Sequence, residues 1–395
     1  MEYKMKILLY SWFGSYTDDD IEKNLIRMGY ICKRIKNERL QSSDRYENAE
    51  FCMTFKEELN SSGCDCVLTT NFLPLIAKVC YENDIPYISW SYDSPPNIPD
   101  TRYMDFPTNH IFFFSRDDVE DFSAQGIDTV HYMPLAVDTG KWEAVKLSGS
   151  LSQKYRADIS LVGNLYSSTL PGLMTMMSEE QCLFFKTLAD IQLKNYDKYL
   201  LKEFITDGVA KEVCQSIAEK RPDSVQPTAK QLIYSVASYV THLDRMLLLR
   251  VLSKKYETHL YTQKVSEEEK SLLGDVKIHG TVDYSSEMPL VFKGSSINLC
   301  PTFRGNVSGI PLRILDVMGC QAFVLTPYRP ELDEHFEVGK EIVTYQCAEE
   351  ALDKADYYLV HEDERLRIAH AGHERVKADF SYRDRLEKMI SMAVS

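Results

Sequence analysis

Short apolar runs alternate with stretches of helical period along most of this chain. Such runs, bounded by polar turns, read as strands buried on both faces, and apolar positions at i, i+3, i+4 and i+7 read as amphipathic helices. Met5–Tyr10 is the first strand. The loop Ser11–Thr17 leads into an acidic cap, Asp18–Asp20, and a helix to about Met28. Strands are then predicted at Ile31–Ile35, Cys64–Thr70, Tyr87–Trp90, His110–Ser115 and Val130–Met133. Helices fall between them at Asn48–Leu59, Phe72–Glu82 and from Asp117 to Gln125. Pro134–Ser152 lacks periodicity and reads as a linker. The second half resumes the alternation, with strands at Ala157–Val162, His259–Thr262, Val276–Gly280, Ile297–Cys300 and Ala322–Thr326. Its helices are predicted across Glu179–Ile217 and at Leu232–Ser253, Glu287–Phe292, Glu349–Leu359, Glu362–Lys377 and Ser381–Ala393. The pattern predicts an α/β fold with parallel sheets and right-handed crossovers.

The stretch from Ser296 to Thr326 carries the densest chemistry. It reads as strand, polar loop, short helix and strand, with Arg304, Asn306 and two glycines in the loop. Ser308 is a candidate N-cap, Pro311 suits a first helical turn, and Gly319 is a candidate stop. A helix N-terminus gathers unpaired N–H groups and positive partial charge, which suits a phosphate or diphosphate. Gly309 would let a ligand approach the backbone. Arg313 and Asp316, three apart, share one helix face, and Asp316 leans back toward the N-terminus, where a carboxylate would bind ribose hydroxyls. The same residues also fit an ordinary strand–helix unit with a capped helix and a surface ion pair.

Composition narrows the function classes. With 395 residues the chain has room for two or three domains. Fifty-nine acidic against 45 basic residues give a net charge of −14, which argues against nucleic acid as the main partner. No apolar run approaches the length of a membrane span and the N-terminus has no signal-peptide core, so a cytoplasmic protein is expected. The ten cysteines sit mostly in apolar surroundings, there is no CxxC, and Cys64-Asp-Cys66 is too tight for usual zinc pairings. Buried free thiols, no metal and no cofactor are expected.

Loops at the carboxyl ends of strands supply the other candidates, because α/β folds hold ligands there. The first carries Trp12, Phe13 and Tyr16, which suit either a sugar surface or packing, and it lacks a dinucleotide fingerprint. After Tyr87–Trp90 comes Trp90-Ser-Tyr-Asp-Ser-Pro-Pro96, a stiff loop presenting Asp93 beside Trp90 and Tyr92. Asp93 is a candidate catalytic carboxylate or the cap of its own turn. Gly163-Asn164 and His279-Gly280 end two strands of the second half. His279 has a structural as well as a nucleotide-binding reading, and His131, Tyr261 and Glu341 are minor candidates.

The phrases HGTVDY…MP, INLCPTF…SGIPLRILDVMGCQAFVLT, ELDEHFEVGKEIVTY and ADYYLVHEDERLRIAHAGHERVKADFSYRDRL, together with the earlier ISWSYDSPP, resemble CgeB-like, spore-maturation-type glycosyltransferases. The resemblance implies GT-B architecture, two Rossmann-like domains facing each other across a cleft. It assigns residues 1–150 to an N-terminal acceptor-side domain. Residues 151–380 become a group-1-type nucleotide-sugar domain with a helical insertion near 167–240, and 381–395 a helix that crosses back. It implies a metal-independent transferase of hexosyltransferase type, a nucleotide-sugar donor (UDP-sugar above GDP or dTDP sugars) and a glycan or protein acceptor. Related retaining enzymes bind ribose through the second carboxylate of an E-x7-E motif. Asp316 matches that position, while Ser308 stands at the first. The basic pair that commonly follows the first strand of the second domain is absent after Gly163, which leaves Arg304 or Arg313 for the diphosphate. The donor set implied is thus Gly163, Asn164, His279, Gly280, Arg304, Asn306, Ser308, Gly309, Ile310, Arg313 and Asp316. Trp12, Phe13, Trp90 and Tyr92 are implied on the acceptor side, and Asp93 at the chemistry. The rival readings are a GT-B nucleotide-sugar epimerase and a non-catalytic sugar- or protein-binding partner with a degenerate site.

Overall fold

The computed structural model describes residues 4–12, 15–37, 45–224 and 226–394. The chain divides into two compact units. The first holds the residues up to Asp138, together with Ser308–Leu312 and the chain from Val376 on, and the second holds the rest. The division at 138/139 lies ahead of the expected boundary at 150.

The first unit runs β1 Lys6–Trp12, α1 Tyr16–Arg27, β2 Ile31–Asn37, α2 Ala49–Ser62, β3 Cys66–Thr70, α3 Pro74–Glu82, β4 Tyr87–Trp90, β5 Asn109–Phe113, α4 Arg116–Ser123 and β6 Val130–Tyr132. Its sheet has the order β2-β1-β3-β4-β5-β6 with every pair parallel. Successive side chains on a strand point to opposite faces. Leu8, Tyr10, Val67, Tyr87, Ile111 and Phe113 therefore share a core with Phe51, Phe55, Ile76, Val79 and Phe122 of α2–α4. Asn48 caps α2 by accepting the Phe51 N–H at 2.9 Å, and Gly63, at φ 55°, ends it. The helix α1 starts at Tyr16, so Asp18 is not its cap. Asp18 is fully buried and accepts a hydrogen bond from the Thr70 hydroxyl at 2.9 Å.

The second unit opens with α5 Thr139–Ala144 and α6 Ser150–Lys154, so the expected linker contains two short helices. Lys293 anchors the first of them by donating to the carbonyls of Trp142 and Val145, both at 2.6 Å. Then come β7 Ala157–Val162, α7 Leu170–Met174, α8 Glu179–Lys194, α9 Leu201–Phe204, α10 Asp207–Lys220, α11 Ala229–Leu252, β8 Thr258–Tyr261, α12 Glu267–Leu273 and β9 Lys277–His279. The unit continues through α13 Met288–Gly294, β10 Ser295–Leu299, α14 Leu312–Gly319 after its first residue, β11 Val324–Pro327, α15 Pro330–His335, β12 Val343–Tyr345, α16 Ala348–Val360 and α17 Glu362–Asp379 as far as Arg375. The helices α7–α11 enclose a core of their own, with Phe185, Leu188, Val213, Ile217, Val236 and Val240. The sheet order β12-β11-β10-β7-β8-β9 puts the topological switch point between β7 and β10.

The last helix, α18 Tyr382–Val394, belongs to the first unit and packs on α1, β4 and β5. Among the described residues no helix is long and apolar enough to cross a membrane.

Candidate functional site

The carboxyl ends of β7 and β10 are joined by one side chain. Arg245, on α11 and 9% exposed, donates to the carbonyls of Asn164 and Pro301, the latter at 2.5 Å. Gly163 has φ +156°, and a Cβ there would lie 3.1 Å from the Arg245 guanidinium. Gly163-Asn164 thus lies at the switch point, and the cation beneath it comes from α11. The sequence shows Arg245 only as one residue of a long helix, because its two partners lie 81 and 56 positions away.

The loop after β10 is held from two further sides. Arg329 donates to the Thr302 hydroxyl at 2.7 Å, to the Phe303 carbonyl at 3.3 Å and to the Asn306 carbonyl. Arg304 turns inward. It is 7% exposed, donates to the carbonyls of Gln192 (2.6 Å) and Asn195 (2.5 Å), and stacks 3.9 Å over Tyr196. It also lies 3.8 Å from Asp244, whose pKa is raised by burial, with Arg304 and the Tyr196 hydroxyl opposing. The expected diphosphate role for Arg304 is corrected accordingly: a guanidinium committed to buried carbonyls ties the helical insertion to this loop. Thr302, Arg304, Asn306, Tyr328 and Arg329 line a small open crevice with Tyr196–Tyr199.

Ser308 is not the N-cap of α14, which starts four positions later at Leu312. Its hydroxyl shares a 2.8 Å hydrogen bond with Ser115 and accepts the Asp117 N–H at 3.0 Å, so it helps cap α4. Gly309, at φ +84°, packs against Phe114, and a side chain there would run into the Phe114 carbonyl. The close approach that Gly309 allows is therefore to the protein itself. Ile310 is 5% exposed. Gly319 is the last residue of α14 and not the left-handed residue that stops it. Gln321, at φ 57°, makes the left-handed turn, and Ala322 N–H closes it on the Val317 carbonyl at 3.1 Å.

On α14, Arg313 and Asp316 form the expected pair, at 3.5 Å. Asp316 is 1% exposed and also accepts the Tyr284 hydroxyl at 2.9 Å. Arg313 is about a third exposed; its guanidinium rests on the Met288 sulfur and lies 5.7 Å from the Phe292 ring centre. Tyr284 closes the phrase HGTVDY but is not among the sequence candidates, because its partner Asp316 lies 32 positions away on another element. The His279 ring stacks on Tyr261 at 4.5 Å and lies 4.8 Å from His259. Burial, then His259 and Lys277, lower its pKa, which favours the neutral ring. Gly280 follows at the exposed end of β9.

In the first unit Asp93 is exposed and accepts a hydrogen bond from the Asn71 amide at 2.9 Å. The side-chain Oδ1 of Asn71 accepts the Tyr92 N–H, also at 2.9 Å. Asn71, at φ 61°, thus fixes the Asp93 loop from the end of β3. The protein around the Asp93 carboxyl raises its pKa, and Asn71 opposes this. Trp90 is fully buried, T-shaped against Tyr382 at 5.9 Å, so it is corrected from an acceptor surface to a core residue. Tyr92 is half-buried, and its hydroxyl lies 3.5 Å from that of Tyr382. Trp12 ends β1, but its side chain, like all of Phe13, lies outside the described residues. Of the minor candidates, His131 stacks on His110 at 6.1 Å, and Glu341 anchors a turn through the Glu337 N–H and Arg375. Among the described residues no three His, Cys, Asp or Glu side chains are grouped as metal ligands.

Comparison with known proteins adds the family context. Residues 245–391 match the family described as "Glycosyl transferase-like". No curated protein sequence matches the chain. Among solved structures, a glycosyltransferase from Rickettsia africae superposes with a TM-score of 0.56 at 12% identity, over 99% of this chain and 98% of that one. HepE from Anabaena, solved with UDP and glucose, gives 0.58 at 11% identity over 98% and 100%. Sucrose-phosphate synthase from Thermosynechococcus elongatus gives 0.57 at 10% over 98% of each. At these identities the likeness establishes the fold, an α/β chain of two parallel six-stranded sheets matching GT-B glycosyltransferases.

Proposed function

We propose that this protein is a glycosyltransferase that takes a sugar from a nucleotide-sugar donor, a UDP-sugar first, and passes it to a glycan or protein acceptor. The observation that carries the reading is Asp316. It is a buried carboxylate on the helix after β10, at the ribose-binding position of the group-1 pattern, within a fold shared with a protein solved with UDP and glucose. In this reading Asp316 receives the ribose hydroxyls, and Arg313 stabilises the diphosphate as charge grows on the leaving group. Gly163-Asn164 and His279-Gly280, at the ends of β7 and β9, border the nucleotide. Asp93 serves the acceptor hydroxyl as base or positioning carboxylate. The subtype is CgeB-like, the transfer is of hexosyl type without a divalent metal, and the compartment is the cytoplasm.

The test is incubation with a panel of UDP-sugars, following UDP release and the configuration of the recovered sugar. Slow UDP release, accelerated by a correct acceptor, supports the transferase. Inversion within the nucleotide-sugar would mark an epimerase, and neither activity would mark a binding module.

A further inference from the structure

We propose that Tyr284 sets the affinity of the second unit for a nucleoside diphosphate by competing with the ribose diol for Asp316; this rests on the donor reading above. Asp316 has a side chain 2% exposed, with Oδ1 accepting from the Tyr284 hydroxyl at 2.9 Å and Oδ2 lying 3.5 Å from Arg313. A carboxylate this deeply buried must keep its oxygens satisfied, because an unpaired buried charge is costly. A diol therefore reaches Asp316 only by exchange with a group already there. Arg313 is the poor candidate for exchange. It sits on the same helix, is further held at Met288 and Phe292, and its charge is what offsets the buried anion. Tyr284 is the good one. It comes from a separate loop, between β9 and α13, and it offers Asp316 what a ribose offers, a neutral O–H donor.

The surroundings of Tyr284 let its side chain leave without unfolding the loop. Its backbone lies in a turn held by Asp283, which accepts the N–H groups of Ser285 (3.1 Å) and Ser286 (2.8 Å). Its ring is half-buried, meets Trp142 edge-on at 5.3 Å, and lies under the Lys141 ammonium at 4.7 Å. These are contacts of ring edge and face that do not involve the hydroxyl. Removing the hydroxyl alone should keep the packing and end the competition.

Calorimetry with UDP and with 2′,3′-dideoxy-UDP separates the effects. Tyr284→Phe is expected to tighten UDP binding roughly three- to thirtyfold, the share of a charge-assisted hydrogen bond that exchange costs the ribose. It should leave dideoxy-UDP unchanged, and its effect should vanish in an Asp316→Ala background. Wild-type protein that binds no UDP, or Asp316→Ala that binds it as well as wild type, would end the ribose assignment and this inference with it. Normal behaviour of those two, with Tyr284→Phe binding UDP no tighter than wild type, overturns this inference alone. A readout free of any folding risk is 3-fluorotyrosine in place of Tyr284. UDP should shift its fluorine resonance and dideoxy-UDP should not; equal responses to both would overturn the competition.

Discussion

A single side chain in this fold does what its partners allow, and Asp93 and Arg304 show it in opposite ways. Asp93 is exposed, yet its surroundings raise its pKa against the Asn71 hydrogen bond. The folded protein therefore holds this proton more tightly than an unfolded chain does. Stability that is present below the ordinary Asp value is lost as pH rises through the folded pKa. Asp93→Asn removes that loss, so the melting temperature at pH 7 should equal or exceed wild type, and the difference should shrink on acidification. If Asp93 serves the acceptor, transfer falls at least about tenfold while UDP affinity holds. A near-native transfer rate rules out catalysis, and a lower melting temperature at pH 7 points to a structural anchor. For Arg304 the expected loss is stability. Arg304→Ala takes one donor from each of two carbonyls and leaves the buried Asp244 without its ion-pair partner, a change costing about 3–5 kcal/mol by analogy with broken buried pairs. Arg313→Ala should instead weaken UDP more than uridine, and thermal melts run beside both titrations separate the two arginines. If Arg304→Ala melts like wild type and loses UDP, the diphosphate role returns to Arg304.

At the scale of elements, the strands and most helices were legible because burial imposes a period on the sequence. Tyr87–Trp90 and Ala157–Val162 coincide with β4 and β7 at both ends. What the pattern could not carry was the three-residue β12, the helix α15 that begins within Pro327–Leu332, and the destination of polar loops. Ser308 and Gly309 are the clearest case. Locally they look like a cap and a ligand-approach glycine for α14, and only tertiary partners 191 to 193 positions away turn Ser308 into a cap for α4. Asp316 and Arg313 were legible because their geometry is intrahelical, whereas Tyr284, from another loop, was not. Gly309→Ala tests the packing reading. The left-handed φ costs an alanine roughly 1–2 kcal/mol, and the clash with the Phe114 carbonyl adds to it. Thermal melting should fall by more than the φ term alone explains. A loss within that term would mean the Phe114 backbone yields, and the loop is softer than it looks.

Over the whole molecule, strand order is what turns sequence into sites. The strand order of the second sheet reverses between β7 and β10, so Gly163 and the loop before α14 emerge together although they lie far apart in sequence. The first sheet reverses between β1 and β3, and the Asp93 loop leaves the neighbouring strand β4. That sheet depends on a helix from the far end of the chain. On α18, Tyr382, Leu386, Met389, Ile390 and Ala393 are buried, and the helix packs on α1, β4 and β5. Fully burying each of the four larger side chains contributes about 1.5–3 kcal/mol. Their sum rivals the entire stability of an ordinary domain, roughly 5–15 kcal/mol. The C-terminal helix should therefore act as part of the first unit's core. Leu386→Ala and Ile390→Ala, lying one turn apart, should each cost about 2–5 kcal/mol and fall short of additive when combined. Amide hydrogen exchange locates the damage. Protection should drop in β4 and β5, which α18 covers, while β7 and β10 keep theirs. Undiminished protection in β4 and β5, with α18 alone exchanging faster, would show that the sheet holds without its last helix.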